Sequence, residues 1–164
     1  MQSGRAWIFG DHVDSDAILA ARHLNENSPR AWAEHVLEVL RPEFPREVGF
    51  GDIVVAGRNF GCGSAREQAP MALRAAGVGA VIAQSFARMF FRNAFNLGLL
   101  IFECPEAFTR VHDGDHLDLD PYSGTINDLD QGISFQAQPL DPYLVALAGD
   151  GGLLKRAARV ARRG

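Results

Sequence analysis

A chain of 164 residues that is 47% hydrophobic and 22% charged holds enough apolar material for one domain with a sizeable core, expected to span residues 1–164. A net charge of -4 gives no electrostatic reason to expect nucleic acid or an anionic membrane as a partner. Two cysteines, Cys62 and Cys104, are too few for a disulfide framework or for holding an iron-sulfur cluster alone; with no leader-like apolar stretch at MQSGRAWIFG, a cytoplasmic protein is expected.

Trp7, Ile8 and Phe9 predict a first strand, broken by Gly10 and by the carboxylate-rich loop Asp11 to Asp16. His12, Asp14 and Asp16 alternate as metal ligands do, but the glycine and distal glutamate of a calcium loop are missing, so a hydrogen-bonding turn is expected. Ile18 to Leu24 has room for a helical turn or two, and Asn25 to Pro29 reads as a loop. Ser28 before Pro29 opens a helix on which Trp32, Val36, Val39 and Leu40 recur at helical spacing, with Trp32 in the core. Pro42 to Phe50 ends that helix and leads to Ile53–Ala56, short and β-branched enough to be a buried strand.

The stretch that follows, Gly57 to Pro70, reads GRNFGCGSAREQAP. Gly57, Gly61 and Gly63 permit sharp turns and close approach of a ligand to the backbone. Ser64 with Glu67 three residues on has the spacing of a capping box, which predicts a helix over Ala65–Ala76 with a kink or separate first turn at Pro70. Free N–H groups of that first turn, the Ser64 hydroxyl and the Arg66 charge would then gather where a carboxylate could bind. The rival reading is a plain strand-turn-helix connection whose serine only caps. A phosphate-binding loop is excluded because Gly63 stands where its lysine belongs, and a hydrolase elbow because Cys62 and Arg66 replace its glycines. Cys62 has no identifiable partner base that would make it a nucleophile.

Val78–Ala83, Phe86–Asn96 and Leu99–Phe102 read as strand, helix and strand, so the middle of the chain predicts right-handed βαβ units on a mostly parallel sheet. Phe86, Met89 and Phe90 are expected in the core, with Arg88, Arg92 and Asn93 on a solvated face. Glu103 to Asp130 carries eight acidic residues against one arginine, Arg110. Alternation at Leu117 and Leu119, continued at Thr125–Asn127 and Ile133–Ala137, predicts a small antiparallel meander, with His112 and His116 at the surface. Pro142–Ala148 and Leu153–Arg163 read as helices. The second is basic; a solvated face is expected there, and RNA binding through it is the alternative.

Asn59 to Pro70 resembles the signature asparagine, phenylalanine, glycine, cysteine, glycine, serine, serine, arginine, glutamate of the small subunits of 3-isopropylmalate dehydratase, which homoaconitase small subunits and the swivelling domain of aconitase share. DHVDSDAIL at Asp11–Leu19, SFARMFFRNAFNLGL at Ser85–Leu99 and GDGGLL at Gly149–Leu154 extend the likeness along nearly the whole chain. The resemblance implies a swivelling β/β/α domain. It implies a hydro-lyase of amino-acid biosynthesis that moves a hydroxyl between adjacent carbons of a malate-type acid, and a large partner subunit that holds a [4Fe-4S] cluster. It assigns Ser64 as the base, Arg66 as the grip on substrate, and Asp16 and Ser15 as their supports, with Gly63 and Ala65 against the substrate. Ala65 departs from the pattern, where many relatives have a second serine. Asn25 falls in the segment His23 to Glu26 that relatives use to sense the distal part of the substrate, and Arg22 or Arg30 swinging in to supply a charge there is the alternative. Arginine there goes with a distal carboxylate and an apolar residue with isopropylmalate, so Asn25 implies a malate with an uncharged substituent rather than homocitrate. A homoaconitase-type subunit, and a non-catalytic anion-binding or interaction module of the same fold, are the alternatives.

Overall fold

The computed structural model describes residues 1–164. Its centre is β1 (Gln2–Ile8), β2 (Ile53–Ala56), β3 (Ala80–Ala83) and β4 (Leu100–Glu103), followed along the chain by β5 (His116–Asp120), β6 (Thr125–Asp128) and β7 (Ile133–Gln136). The seven strands form a single sheet in the order β4-β3-β2-β1-β5-β6-β7. β1 to β4 pair in parallel with Ala6 opposite Ile53, Ile53 opposite Ala80 and Ala80 opposite Leu100. The expected meander is present as β5, β6 and β7, and it is continuous with the core: Gln2 to Arg5 of β1 pair antiparallel with Leu119 to His116. This double duty makes β1 longer at its amino end than Trp7–Phe9.

β2 and β3, the inner parallel strands, are apolar and buried at every position because both faces are covered. Successive side chains alternate across the sheet. Trp7, Val54, Ala56, Val81 and Ile101 therefore join one core cluster with Ala69, Ala72 and Leu73 of helix α4 (Gln68–Ala75) and Phe90, Ala94 and Phe95 of α5 (Arg88–Asn96). Ala6, Ile53, Val55, Ile82 and Phe102 face the other way, where Ala107 of α6 (Pro105–Arg110) and Leu117, Leu119, Ile126 and Phe135 of the meander close a second cluster. Asp52, just before β2, is buried but satisfied, accepting from Trp7 Nε1 at 2.8 Å, Arg5 N at 3.0 Å and Gly49 N at 2.8 Å.

Several local expectations are corrected. Asp14 caps a short α1 (Ser15–Ile18), and the helical turn expected from Ile18 becomes a separate 3-10 turn at Ala21–His23. The helix opened by Ser28 and Pro29 is α2 (Pro29–Ala33) and stops there. Leu37 adopts φ 56° and donates its N–H to Ile18 O at 2.8 Å, so the chain leaves the helical ladder to dock on α1. Val39 and Leu40 consequently lie 56% and 45% exposed, whereas Trp32 is buried as expected. A short α3 (Phe44–Glu47) occupies the connection before β2 and seats Phe44 against Trp7 and Phe9. α6 was hidden by the acidic composition around it, although Cys104-Pro105 places proline at a first helical turn. On α5, Phe90 is buried but Met89 is exposed. The chain ends in α7 (Pro142–Asp150) and α8 (Leu153–Ala161), close to the expected bounds.

Candidate active site at the carboxyl edge of the parallel strands

In an open parallel sheet the loops beyond the carboxyl ends of adjacent strands converge, and ligands bind among them. Here three such loops are zipped together by backbone hydrogen bonds. The loop after β1 meets the loop after β2 through Gly57 N to Gly10 O at 3.0 Å, His12 N to Arg58 O at 2.7 Å, Gly61 N to Val13 O at 2.7 Å and Ser15 N to Cys62 O at 2.8 Å. The loop after β3 joins through Phe60 N to Ser85 O at 3.0 Å and Ala87 N to Phe60 O at 2.9 Å, and Ser85 Oγ accepts from Asn59 N at 2.9 Å. Motif glycines make this possible. Gly61 has φ 81°, and a Cβ there would fall 2.2 Å from Cγ of Phe90.

The zipper places DHVDSD beside GCGSAR. Ser15 is buried, and a Cβ on Gly63 would lie 3.6 Å from Ser15 Oγ, so these two positions touch across the loops. Asp14 spends its carboxylate on the N–H of Ala17 at 2.7 Å, as a turn-forming residue rather than a ligand. Asp16, two residues on, forms an ion pair with Arg66 Nη2. The other terminal nitrogen of Arg66, Nη1, is buried without a hydrogen-bond partner.

Ser64 is not a helix cap. Helix α4 begins at Gln68, after Glu67, and no side chain caps it. The capping box is therefore absent, and with it the expected gathering of first-turn N–H groups at Ser64. Pro70 falls in the first turn of α4, where its missing N–H costs nothing, so no kink is needed. Ser64 sits instead in a bend, exposed, with its carbonyl accepting the Arg66 N–H at 2.8 Å. Ala65 beside it is also exposed.

Cys62 lies half-buried on the same loop; burial, and then the nearby Asp14 charge, push its thiol above the ordinary range, which holds it protonated and unreactive. Arg22 and Asn25 are exposed on and just after the 3-10 turn that leaves α1, with Arg22 Nη2 3.4 Å from Glu38 Oε1. No hydrogen bond or ion pair joins them to Ser64 or Arg66. A cavity of ≈ 500 Å³ lined by Gln2, Phe50, Gly79, Leu100 and Tyr122 lies at the opposite, amino edge of the strands, away from this chemistry.

The α/β domain is of the aconitase class of swivelling domains: the family described as Aconitase C-terminal domain matches residues 28–107. The 3-isopropylmalate dehydratase small subunit of Syntrophus aciditrophicus is 52% identical over 157 residues, covering 96% of each chain. Small subunit 1 of the same enzyme from Archaeoglobus fulgidus is 49% identical over 160 residues, covering 98% of this chain and 99% of its own. The crystal structure of 3-isopropylmalate dehydratase from Methanocaldococcus jannaschii superposes with a TM-score of 0.89 at 36% identity, covering 99% of both chains. The chain belongs to the family of 3-isopropylmalate dehydratase small subunits.

Proposed function

We propose that this chain supplies the base to a dehydratase that interconverts 2-isopropylmalate and 3-isopropylmalate, or a closely similar 2-substituted malate, by losing and re-adding water, and that it acts only with a large subunit. The observation that carries the proposal is the pairing of an exposed Ser64 with Arg66, whose guanidinium is fixed by Asp16 on one side and has an unpartnered nitrogen on the other. A desolvated donor left unpaired costs about 1–3 kcal/mol. A substrate carboxylate, as the acceptor matched to a guanidinium fork, would recover that cost.

Ser64, as its alkoxide, takes the proton from the carbon next to that carboxylate as the hydroxyl leaves the adjacent carbon; on rehydration the hydroxyl adds to the carbon that lost the proton, and Ser64 returns the proton to the carbon that lost the hydroxyl. An unassisted serine is far too weak a base at neutral pH. Its anion needs Arg66, backbone donors of the bend and a site closed to water. Asp16 positions Arg66, Ser15 and Gly63 shape the floor of the bend, and Ala65 leaves the wall beside Ser64 without a hydroxyl. Arg22 and Asn25 face the part of the substrate distant from the reacting carbons.

This chain does not fit a [4Fe-4S] cluster, which takes roughly four thiolates: Cys104 is buried behind α6 and Cys62 stands alone on the site loop. The cluster belongs, in this proposal, to the large subunit, where it supplies a Lewis acid for the departing hydroxyl. The test is reconstitution with the candidate large subunit and assay of isopropylmalate isomerisation. Ser64→Ala is expected to lower kcat by about 10⁴, the upper end of general-base effects, with assembly intact. An assembled Ser64→Ala enzyme of near-normal kcat would falsify the assignment.

A further inference from the structure

The chain carries two H-x-x-E repeats, His23-Leu24-Asn25-Glu26 and His35-Val36-Leu37-Glu38, each ordinary by itself. The hydrogen bond from Leu37 N to Ile18 O draws the turn after α2 onto the segment after α1 and brings the repeats face to face. The His23 and His35 rings stack with centroids 3.6 Å apart and planes inclined by 8°. On one edge, His23 Nε2 lies 3.0 Å from Glu38 Oε1 and His35 Nδ1 lies 3.2 Å from Glu38 Oε2. On the other edge, His23 Nδ1 and His35 Nε2 both face Glu26 Oε1, at 3.3 and 3.7 Å.

All four ring nitrogens thus face carboxylate oxygens. A neutral imidazole has one N–H and one lone pair, so two neutral rings can satisfy only two of the four contacts. The other two set lone pair against anion. The rings leave one edge short of donors, and the Glu38 edge, which the exposed Arg22 reaches only at 3.4 Å, is suited to receive a cation, because ligand atoms of His23, His35 and Glu38 lie within 4.8 Å of one another. Binding one ion requires the stack to open widely, so that the in-plane lone pairs of both nitrogens converge on it at the usual distance of about 2.0–2.1 Å. The two N–H groups would then both point to Glu26. This is the arrangement in which an outer carboxylate fixes the tautomer of metal-bound histidines.

We propose that His23 Nε2, His35 Nδ1 and the Glu38 carboxylate form a binding site for one divalent cation of the zinc class, with Glu26 as the outer carboxylate. Two imidazoles and one carboxylate favour zinc, cobalt, nickel or copper over magnesium or calcium, which prefer all-oxygen sites. A bound ion would tie the Arg22–Glu26 segment to the turn at Glu38 and stiffen it. The other acidic group, Asp115, Asp128 and Asp130, gives no comparable case, since Gln131 Nε2, backbone N–H groups and His116 already engage its oxygens.

The experiment uses the full chain without a histidine tag, stripped by chelation, then titrated with Zn²⁺ against a chromophoric chelator and with Co²⁺ by visible spectroscopy. One equivalent should bind, with cobalt ligand-field bands and a rise in Tm given by Zn²⁺ but not Mg²⁺. His23→Gln and His35→Gln should each weaken binding by roughly a hundredfold or more, and Glu26→Gln by about 10–100-fold. NMR of the wild-type imidazole nitrogens gives a readout that needs no variant: Zn²⁺ should shift His23 Nε2 and His35 Nδ1. Failure of the wild type to bind, unshifted imidazole nitrogens, or folded His→Gln variants that bind as wild type would overturn the proposal.

Discussion

Asp16 holds Arg66 across the seam between the loops that follow β1 and β2, the only ion pair that links α1 to the glycine-rich motif. The Asp16 side chain is 62% exposed and that of Arg66 20%, so solvent screens the pair and little of the fold's stability depends on it. Its consequence is positional. Asp16→Asn keeps the shape and removes the charge that fixes one edge of the guanidinium. In the reconstituted enzyme kcat/KM is expected to fall about 10–100-fold, the range of one charged hydrogen bond. The urea midpoint of the isolated chain should stay within error of wild type. Unchanged kcat/KM would mean that Arg66 does not depend on Asp16.

Gly61 and Gly63 both have left-handed φ, 81° and 86°, but their surroundings differ. A Cβ at Gly61 would overlap the Phe90 ring at 2.2 Å, whereas at Gly63 the nearest atom is 3.5 Å away. Gly61→Ala should therefore cost about 1–3 kcal/mol of overpacking beyond the roughly 1–2 kcal/mol of left-handed strain that both share. Urea unfolding of the two variants measures the difference; equal losses would show that Phe90 moves aside freely.

Asp113 offers a pH test on the far side of β1. Partial burial disfavours its charge, but Arg41, at 2.6 and 3.1 Å, and the N–H of Ile8, at 2.9 Å, outweigh this and hold the carboxyl below its ordinary range. A carboxyl depressed on folding stabilises the fold above its unfolded pKa, about 3.9, and loses that contribution as pH falls through the lower folded value. Asp113→Asn should thus be less stable than wild type at pH 7, and the gap should close on acidification below about pH 4. A gap that stays constant to the acid limit would assign the loss to packing.

The parallel core was legible because Ile53–Ala56, Val78–Ala83 and Leu99–Phe102 are short apolar runs alternating with helical segments, whereas the order of the strands and the pairing of β1 with β5 came only with the structure. The site segments were legible through resemblance, and their convergence follows from parallel strands ending at one edge. What stayed hidden was decided by tertiary contacts. Leu37 and its bond to Ile18 end a helix that the spacing of Val36, Val39 and Leu40 favours. Ser64 has the spacing of a cap, yet the bonds of Gly61 to Val13 and of Cys62 to Ser15 tie the motif to the loop after β1, and α4 begins only at Gln68. The stacked His23 and His35 are twelve residues apart, and neither period nor composition announces that they meet.

On the proposed function, substrate choice is expected to turn on Asn25. It lies exposed just after the 3-10 turn, between His23 and Glu26, both of which the histidine-carboxylate cluster engages. Arg22, the nearest cation in sequence, is drawn toward Glu38 at 3.4 Å, but its side chain is 68% exposed and that contact is weak. If this segment faces the distal end of the substrate, a distal carboxylate meets an uncharged amide with Glu26 close by. That mismatch should cost about 1–3 kcal/mol. Isopropylmalate, or another malate with a small uncharged substituent, should therefore be used in preference to homocitrate or citrate, by kcat/KM in the reconstituted enzyme. Asn25→Arg supplies the missing charge and should shift the ratio toward the tricarboxylate by about tenfold or more, as one charged hydrogen bond allows. Arg22→Gln provides the complementary measurement: if Arg22 swings in to serve the distal carboxylate, the wild type will accept the tricarboxylate and this variant will not. A wild-type preference for the tricarboxylate would overturn the reading of Asn25, and an unchanged ratio in Asn25→Arg would show that this segment does not sense substrate.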